Sequence, residues 1–397
     1  MVPSIREQFN ANFSEARYQH MLEHLAAQYQ ETPAFKVAET PVFVPKTLKE
    51  KLIEACEQIT DVLVQPDFLE KSESAILAGQ VVPNETPHTH FLQMDFGICL
   101  DENGEMIPQL IEAQGFPSLY FFQHLVASCY QEAYDIPENY QHLFGGLSPD
   151  AYIEKLRDII VGDENPTQVV LLEVEPDKQV TRIDFTIAAQ QLGIKVCCVS
   201  DLKMEGKDVF YLNESGEKIQ VKRIFNRVIF DELIQRDDLQ REFYFTKEAN
   251  VKWIGHPHWF FRISKHTLPL LDSPYVPKSM FLNELEELPE DLDRYVLKPL
   301  YSFAGSGVII NLNRFDVESI KDKENYILQR KVKYAPVVET LDVPAKCEIR
   351  MLMLWEEGAE RPVIVNNLAR LSKGEMIGVR YNKNKTWVGG SVGFFEQ

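Results

Sequence analysis

In the stretch Tyr295-Val296-Leu297-Lys298-Pro299-Leu300-Tyr301-Ser302-Phe303-Ala304-Gly305-Ser306-Gly307-Val308-Ile309-Ile310, a lysine closes one apolar run and small residues lead into the next. Small residues let backbone N–H groups approach phosphate oxygens, and a neighbouring lysine adds a point charge. No Gly-Lys-Ser/Thr follows, and a strand rather than a helix is expected after the loop, so this is not a Walker A site. Taken alone, the pattern is more often that of an ordinary structural turn.

A second pattern lies far away in the chain. Asn103-Gly104 is a strong hairpin-turn signal between two apolar runs. A two-residue turn centred there sets Asp95 directly opposite Glu112, and Gln93 opposite Gln114, on one face. Opposed carboxylates repel unless a cation lies between them or one is protonated, and oxygen ligands at this spacing suit Mg²⁺. The alternatives are a solvated pair, or a bulge at Pro108 that moves the register by one residue.

The elements that must position these groups can be read from periodicity. Phe9, Phe13, Met21, Leu22 and Leu25 follow a helical period, as do Leu52, Ile53, Cys56, Ile59 and Leu63 after the capping-box spacing of Thr47 to Glu50. A helix is expected over 148–160. Val169 to Val174 and Lys195 to Val199 read as buried strands around a helix at 183–192, a βαβ unit implying a small parallel sheet. A hairpin over 209–221 and a helix over 231–243 follow, then strands at 294–299 and 307–312. These boundaries divide the chain into 1–160, a helical region with the Asp95 hairpin; 161–250, the βαβ unit; and 251–397, the region of the glycine loop. At 397 residues, two or three domains with a cleft between them are expected.

Composition excludes several functions. A formal charge of −19 repels nucleic acid and anionic headgroups; it suits plain solubility and would also tolerate a cationic substrate. The six cysteines form no CxxC pair and read as reduced core thiols. No apolar h-region opens the chain and no apolar run is long enough to span a membrane, so a cytoplasmic protein is expected. Two His-x-His pairs, His88/His90 and His256/His258, lack a third zinc ligand at any fixed spacing and read as packing histidines.

Leu297-Lys298-Pro299 with its glycine loop, the run Tyr326 to Val332, and the run Glu348 to Leu354 together resemble an ATP-grasp domain. The resemblance is to its circularly permuted form, as in eukaryotic-type glutathione synthetase and, more loosely, glutathionylspermidine synthetase. That form carries its metal-binding strand near the N-terminus, where Ile111-Glu112-Ala113-Gln114 stands, and it ends in a glycine loop, where Val388 to Gly393 stands. It implies an α/β (α+β) fold with an inserted βαβ substrate domain.

It also implies an ATP-dependent carboxylate–amine ligase working through an acyl phosphate, with ATP and Mg²⁺ as cofactors and a small-molecule carboxylate and amine as partners. Nucleic acid and membrane are not expected, and a homodimer is left open. On this resemblance Lys265 and Lys298 contact phosphates, while Ser302, Ala304, Gly305, Ser306 and Gly307 cover them. Gln329, Arg330, Lys331 and Val332 form the hinge strand beside adenine, and Glu348 faces the nucleotide. Arg370, Lys298 and Lys373 act on the transferred group, and Asp95, Glu112 and Gln114 hold the metal. Arg182, Asn226, Arg227, Gly389 and Gly390 are candidates for substrate binding.

The chain also departs from the family pattern. Gln114 replaces an asparagine, Ser302 a metal-binding acid, Gln93 an arginine and Arg330 the hinge acid. A non-catalytic ATP-binding module, or a ligase that adds an amino acid to a protein, stays open beside the small-molecule ligase.

Overall fold

The computed structural model describes residues 1–301, 307–374, 377 and 382–397. Ser302, Ala304, Gly305 and Ser306, expected over the phosphates, lie outside the described residues; Gly307 lies within them.

The largest sheet has five antiparallel strands in the spatial order Gly389–Ser391, Val363–Ser372, Lys346–Leu354, Phe91–Leu100, Met106–Gln114. Its two faces differ because side chains alternate along each strand. Met94, Phe96, Ile349, Met351, Ala369 and Leu371 cluster with Leu48, Leu52, Cys56 and Ile59 of the helix Lys46–Leu63. The other face carries Asp95, Glu112, Glu348, Arg350 and Arg370, and it forms one wall of a cleft.

The hairpin that brings Asp95 and Glu112 together was expected from a two-residue turn. Instead, Asp101 N–H donates to Glu105 O and Leu100 pairs with Met106, so three residues form the loop, with Gly104 at a φ of +80°. That alone would displace the pairing by one residue. A bulge at Ile111 restores it, because Asp95 still pairs with Glu112 while Phe96 pairs with Leu110. The irregularity therefore falls at Ile111 and not at Pro108.

Val169–Glu173, Lys195–Cys198, Arg223–Asn226 and Lys252–Ile254 form the parallel sheet, with Val169–Glu173 and Arg223–Asn226 as its inner strands. Its carboxyl ends, at Glu173 and Arg227, open on the cleft, the usual ligand side of such sheets. A third sheet sets Tyr326–Arg330 between Ser279–Phe281 and Tyr295–Pro299. Leu297 and Leu328 face its small core, and Val296, Lys298 and Gln329 face the cleft.

Two expected elements are shorter. The helix over 231–243 is only Phe230–Ile234, and the strand over 307–312 is reduced to a bridge of Ile309 with Leu297. The helix Tyr120–Ala133, unread in the sequence because it is apolar nearly all round, is buried on most faces.

Asp184 ties the parallel-sheet unit to that helix. Its carboxylate accepts from Leu119, Phe121 and Phe122 N–H at 3.1, 3.0 and 2.9 Å, and from Arg227 at 2.9 Å. Both charged side chains are 3 % exposed. Asp184→Ala is expected to cost about 3–5 kcal/mol in denaturant unfolding, because it leaves Arg227 charged, buried and unpaired.

Candidate active site

The three sheets enclose a cleft of about 560 Å³, within the range of small-molecule sites. Asp95, Glu112, Gln114, Lys265, Lys298, Gln329, Arg330, Lys331, Val332, Glu348, Arg227 and Arg370 all line it. Residues 1–94 contribute nothing to its lining, and the wall combines positions from 95 to 377.

Lys298 is buried, and its ammonium donates to Ile111 O at 3.1 Å. Ile111 is the bulged residue, so its carbonyl is spared for the lysine. Burial, reinforced by nearby Lys265 and opposed by Glu112, lowers the Lys298 ammonium to about 8. Lys265 stands 3.5 Å from Glu112. Gln114 Nε2 donates to the other Glu112 oxygen at 2.5 Å. Two lysines and one carboxylate thus meet on the Met106–Gln114 strand.

Asp95, expected as a metal ligand, is instead held by guanidinium groups. Arg350, directly opposite it in the sheet, donates Nε to Oδ1 at 2.5 Å and Nη2 to Oδ2 at 2.7 Å. Arg370 donates to Oδ2 at 2.7 Å. Burial acts to raise Asp95, but the two arginines outweigh it and hold the carboxyl below its ordinary value. Arg370 also pairs with Glu348, its cross-strand neighbour, which accepts from Tyr334 Oη–H at 2.7 Å. Burial pushes the Glu348 carboxyl up.

Sequence reading missed Arg350, Tyr334 and Glu173. Arg350 stood in the quoted run Glu348 to Leu354, and its position opposite Asp95 is set by pairing across 255 residues of chain. Tyr334 had one weak signal: Gly97, where an added Cβ would lie 2.7 Å from the Tyr334 ring. Glu173 ends its parallel strand, accepts from Val174 N–H at 2.7 Å, and is pushed up to about 8 by burial.

Five candidates fall elsewhere. Arg182 reaches Glu31 at 2.7 Å and is 44 % exposed. Lys373 pairs with Asp342 and is absent from the cleft wall. Asn226 is buried and caps Val228 N–H at 3.1 Å. Gly389 and Gly390 admit close backbone approach: Gly390 N–H donates to Lys36 O at 2.9 Å, and a Cβ on Gly389 would lie 2.4 Å from Lys36 O. A short loop side chain or a glycine looks the same in sequence whether it serves a ligand or a neighbouring strand.

The first His-x-His pair packs, whereas the second meets Glu85, a third possible ligand that no fixed spacing in the sequence placed. His88 stacks on Trp355 with centroids 4.3 Å apart. Glu85, His256 and His258 come within 4.8 Å of one another. The ring nitrogens there are engaged: His258 with Val82 N–H at 2.8 Å and Glu85 at 3.0 Å, His256 with Pro83 O at 3.1 Å and His258 N–H at 3.2 Å. Among the described residues, no helix is long and apolar enough to cross a membrane.

No family model and no curated relative matches the sequence. Among solved structures, a glutathione synthetase-like effector from Globodera pallida, in its apo form, aligns over 96 % of this chain and 97 % of its own, with a TM-score of 0.56 and 13 % identity. The chain shares that fold. The likeness spans both halves of the molecule, and at this identity it speaks for the fold alone. A putative gamma-glutamylcysteine synthetase from Methylobacillus flagellatus KT aligns over 85 % of this chain and 84 % of its own at 15 % identity, but with a TM-score of 0.37 it carries no argument.

Lys298 generates a pH signature. Its folded value of about 8 lies below the ordinary 10.5. Between these two pH values the unfolded chain holds a proton that the folded chain has released, so folding is favoured as pH rises through the window. Wild type is expected to gain stability relative to Lys298→Met from pH 8 to 10.5, with a constant difference below pH 8, in urea unfolding followed across that range.

Proposed function

We propose that this chain is an ATP-dependent carboxylate–amine ligase with a circularly permuted ATP-grasp arrangement. The carrying observation is that Lys265 and Lys298 converge with Glu112 in one cleft, between the strand ending at Val332 and the carboxyl ends of the parallel sheet at Glu173 and Arg227. The permuted reading is supported by the largest sheet, whose hairpin at 91–114 pairs with strands from 346–391, while the parallel sheet at 169–254 lies between them in the chain.

The donor set fits the implied groups. Two lysines suit a polyphosphate, and a cleft of about 560 Å³ accommodates a nucleotide with a second small molecule. Glu112 with Gln114 would hold Mg²⁺, and Asp95 takes no part because its oxygens accept from Arg350 and Arg370. ATP with Mg²⁺ would supply the γ-phosphoryl group that makes a substrate carboxylate into an acyl phosphate with release of ADP, and an amine would then displace inorganic phosphate to leave the amide.

What the chain contributes is alignment and charge, which is most of what phosphoryl transfer asks of a protein. Lys265 and Lys298 orient the phosphate oxygens. Arg370, 37 % exposed toward the cleft and held from behind by Asp95 and Glu348, presents its guanidinium to the reacting oxygens without having to be ordered first. Glu173 offers an acceptor amine an anionic partner, since a cation beside it would restore its charge.

A nucleotide-binding protein without turnover is favoured by one observation: the capture of Asp95 by two arginines leaves one fewer carboxylate for a metal. The two readings separate in an assay of ATP hydrolysis with Mg²⁺ and pooled amino acids, short peptides and polyamines, with mass analysis for new amides. Turnover is expected, and Lys298→Ala should lower it by about 10²–10³ in rate. ATP binding without turnover across the panel would favour the second reading, and no ATP binding would sink both.

A further inference from the structure

Arg262 ends the helix Pro257–Arg262 and is 3 % exposed. A guanidinium carries five N–H donors in a rigid fork, and here it makes five hydrogen bonds. Nε donates to Glu85 at 2.5 Å. Nη1 donates to Leu69 O at 2.8 Å and to Ser72 Oγ at 3.0 Å, and Nη2 donates to Glu73 at 2.7 Å and to Glu85 at 3.1 Å. All of these partners belong to residues 69–86, which take no part in the cleft wall. In stability alone a buried ion pair is often matched by apolar packing, whereas five directional bonds hold one geometry.

The same segment grips the surroundings of Arg262. Trp259 Nε1–H donates to Thr86 Oγ1 at 2.9 Å, Ser74 Oγ meets His266 Nε2 at 3.0 Å, and Tyr301 Oη–H donates to Ala75 O at 2.7 Å. His258 accepts from Val82 N–H through Nε2, so its neutral ring carries the proton on Nδ1, 3.0 Å from Glu85. A metal among Glu85, His256 and His258 would have to displace that proton and the Arg262 bonds together. The cluster is a junction between 69–86 and the chain around Arg262.

What the junction holds is the approach to Lys265, three residues beyond Arg262. Thr267 Oγ1–H donates to Arg262 O at 2.9 Å, and His266 N–H donates to Ser264 Oγ at 3.1 Å, which closes the intervening turn on itself. On its other side Gly115 N–H donates to Ile263 O at 2.9 Å, and a Cβ on Gly115 would lie 2.5 Å from Trp259 O. Gly115 directly follows the strand that carries Glu112, and Lys265 stands buried 3.5 Å from that carboxylate. A group that must meet phosphate oxygens is sensitive to such placement, since an error of about 1 Å can cost about 10²-fold in rate.

We propose that Arg262 is a positioning residue for Lys265: fastened by residues 69–86, it fixes the turn from which Lys265 reaches the phosphates of a bound nucleotide. This rests on the nucleotide reading of the cleft and adds to it a support that lies wholly outside the cleft wall.

The test is a double-mutant cycle in ATP binding by the full chain with Mg²⁺. Wild type, Lys265→Met, Arg262→Lys and the double variant are compared, with the melting temperature of each measured alongside. Lysine keeps the charge at 262 but cannot reproduce the planar fork. Lys265→Met should weaken ATP by about 10- to 150-fold, the range for one hydrogen bond to a charged group. Arg262→Lys should weaken it by about 10-fold. In the Lys265→Met background the same substitution should add no more than about 2-fold, because nothing is left to position. Should Arg262→Lys fail to fold, Glu85→Gln, which turns one acceptor of the guanidinium into a donor, replaces it in the cycle with the same expectation. Equal effects in the two backgrounds overturn the inference, as does a folded variant that binds ATP like wild type whatever its melting temperature. Undiminished ATP affinity in Lys265→Met overturns it too, and in each of these cases nucleotide binding itself stands. Failure of wild type to bind ATP overturns both.

Discussion

The carboxylate of Asp95, on the strand between Lys346–Leu354 and Met106–Gln114 in the five-stranded sheet, organises the polar wall of the cleft. It accepts three charge-assisted hydrogen bonds from two arginines on two successive strands. Removing such groups from water is expensive unless each is paired, and the opposition of Asp95 to Arg350 and of Glu348 to Arg370 satisfies both pairs through strand register alone. A slip of one residue would turn these charges onto the helix Lys46–Leu63 and expose Met94, Phe96 and Ile349. The ionic face and the apolar face therefore specify the same register.

From this centre the network reaches both ends of the cleft. Gln93 accepts from Arg350 at 2.8 Å and donates to Ser118 O at 3.0 Å. Leu119, the next residue, meets Asp184, which holds Arg227. In the other direction, Arg370 leads to Glu348 and Tyr334, beside the strand that ends at Arg330. The side chains that face the cleft are thus held by partners behind them, which lowers the cost of ordering them around a ligand. The Ile111 bulge belongs to the same scheme. It returns Glu112 to Asp95 after a three-residue turn, and it frees a carbonyl that fixes the buried ammonium of Lys298.

Much of this was legible in the sequence. The Asn103-Gly104 turn signal within 92–114 marked the hairpin. The apolar runs at 169–174 and 195–199 marked the parallel unit, and the lysine before the glycine loop marked the cleft. The turn was misread by one residue, yet the Asp95–Glu112 pairing came out right because the bulge cancels the error. Lys373, Arg182, Gly389 and Gly390 were misplaced for a common reason. Their types suit ligand binding, but nothing local distinguishes a lysine aimed at a ligand from one aimed at Asp342, or a glycine near a phosphate from one near Lys36 O.

The sequence by itself determined what depends on neighbours along the chain: which residues alternate, where strands and turns fall, and which chemical types stand at the strand ends. Only the tertiary structure decided which charges meet. Asp95 lies 255 residues from Arg350 and 275 from Arg370, and its two oxygens could have faced a metal or a guanidinium with equal local justification. The choice rests on cross-strand register between the two ends of the chain, where charge pairing in a buried layer outweighs any preference that a carboxylate carries in its own sequence.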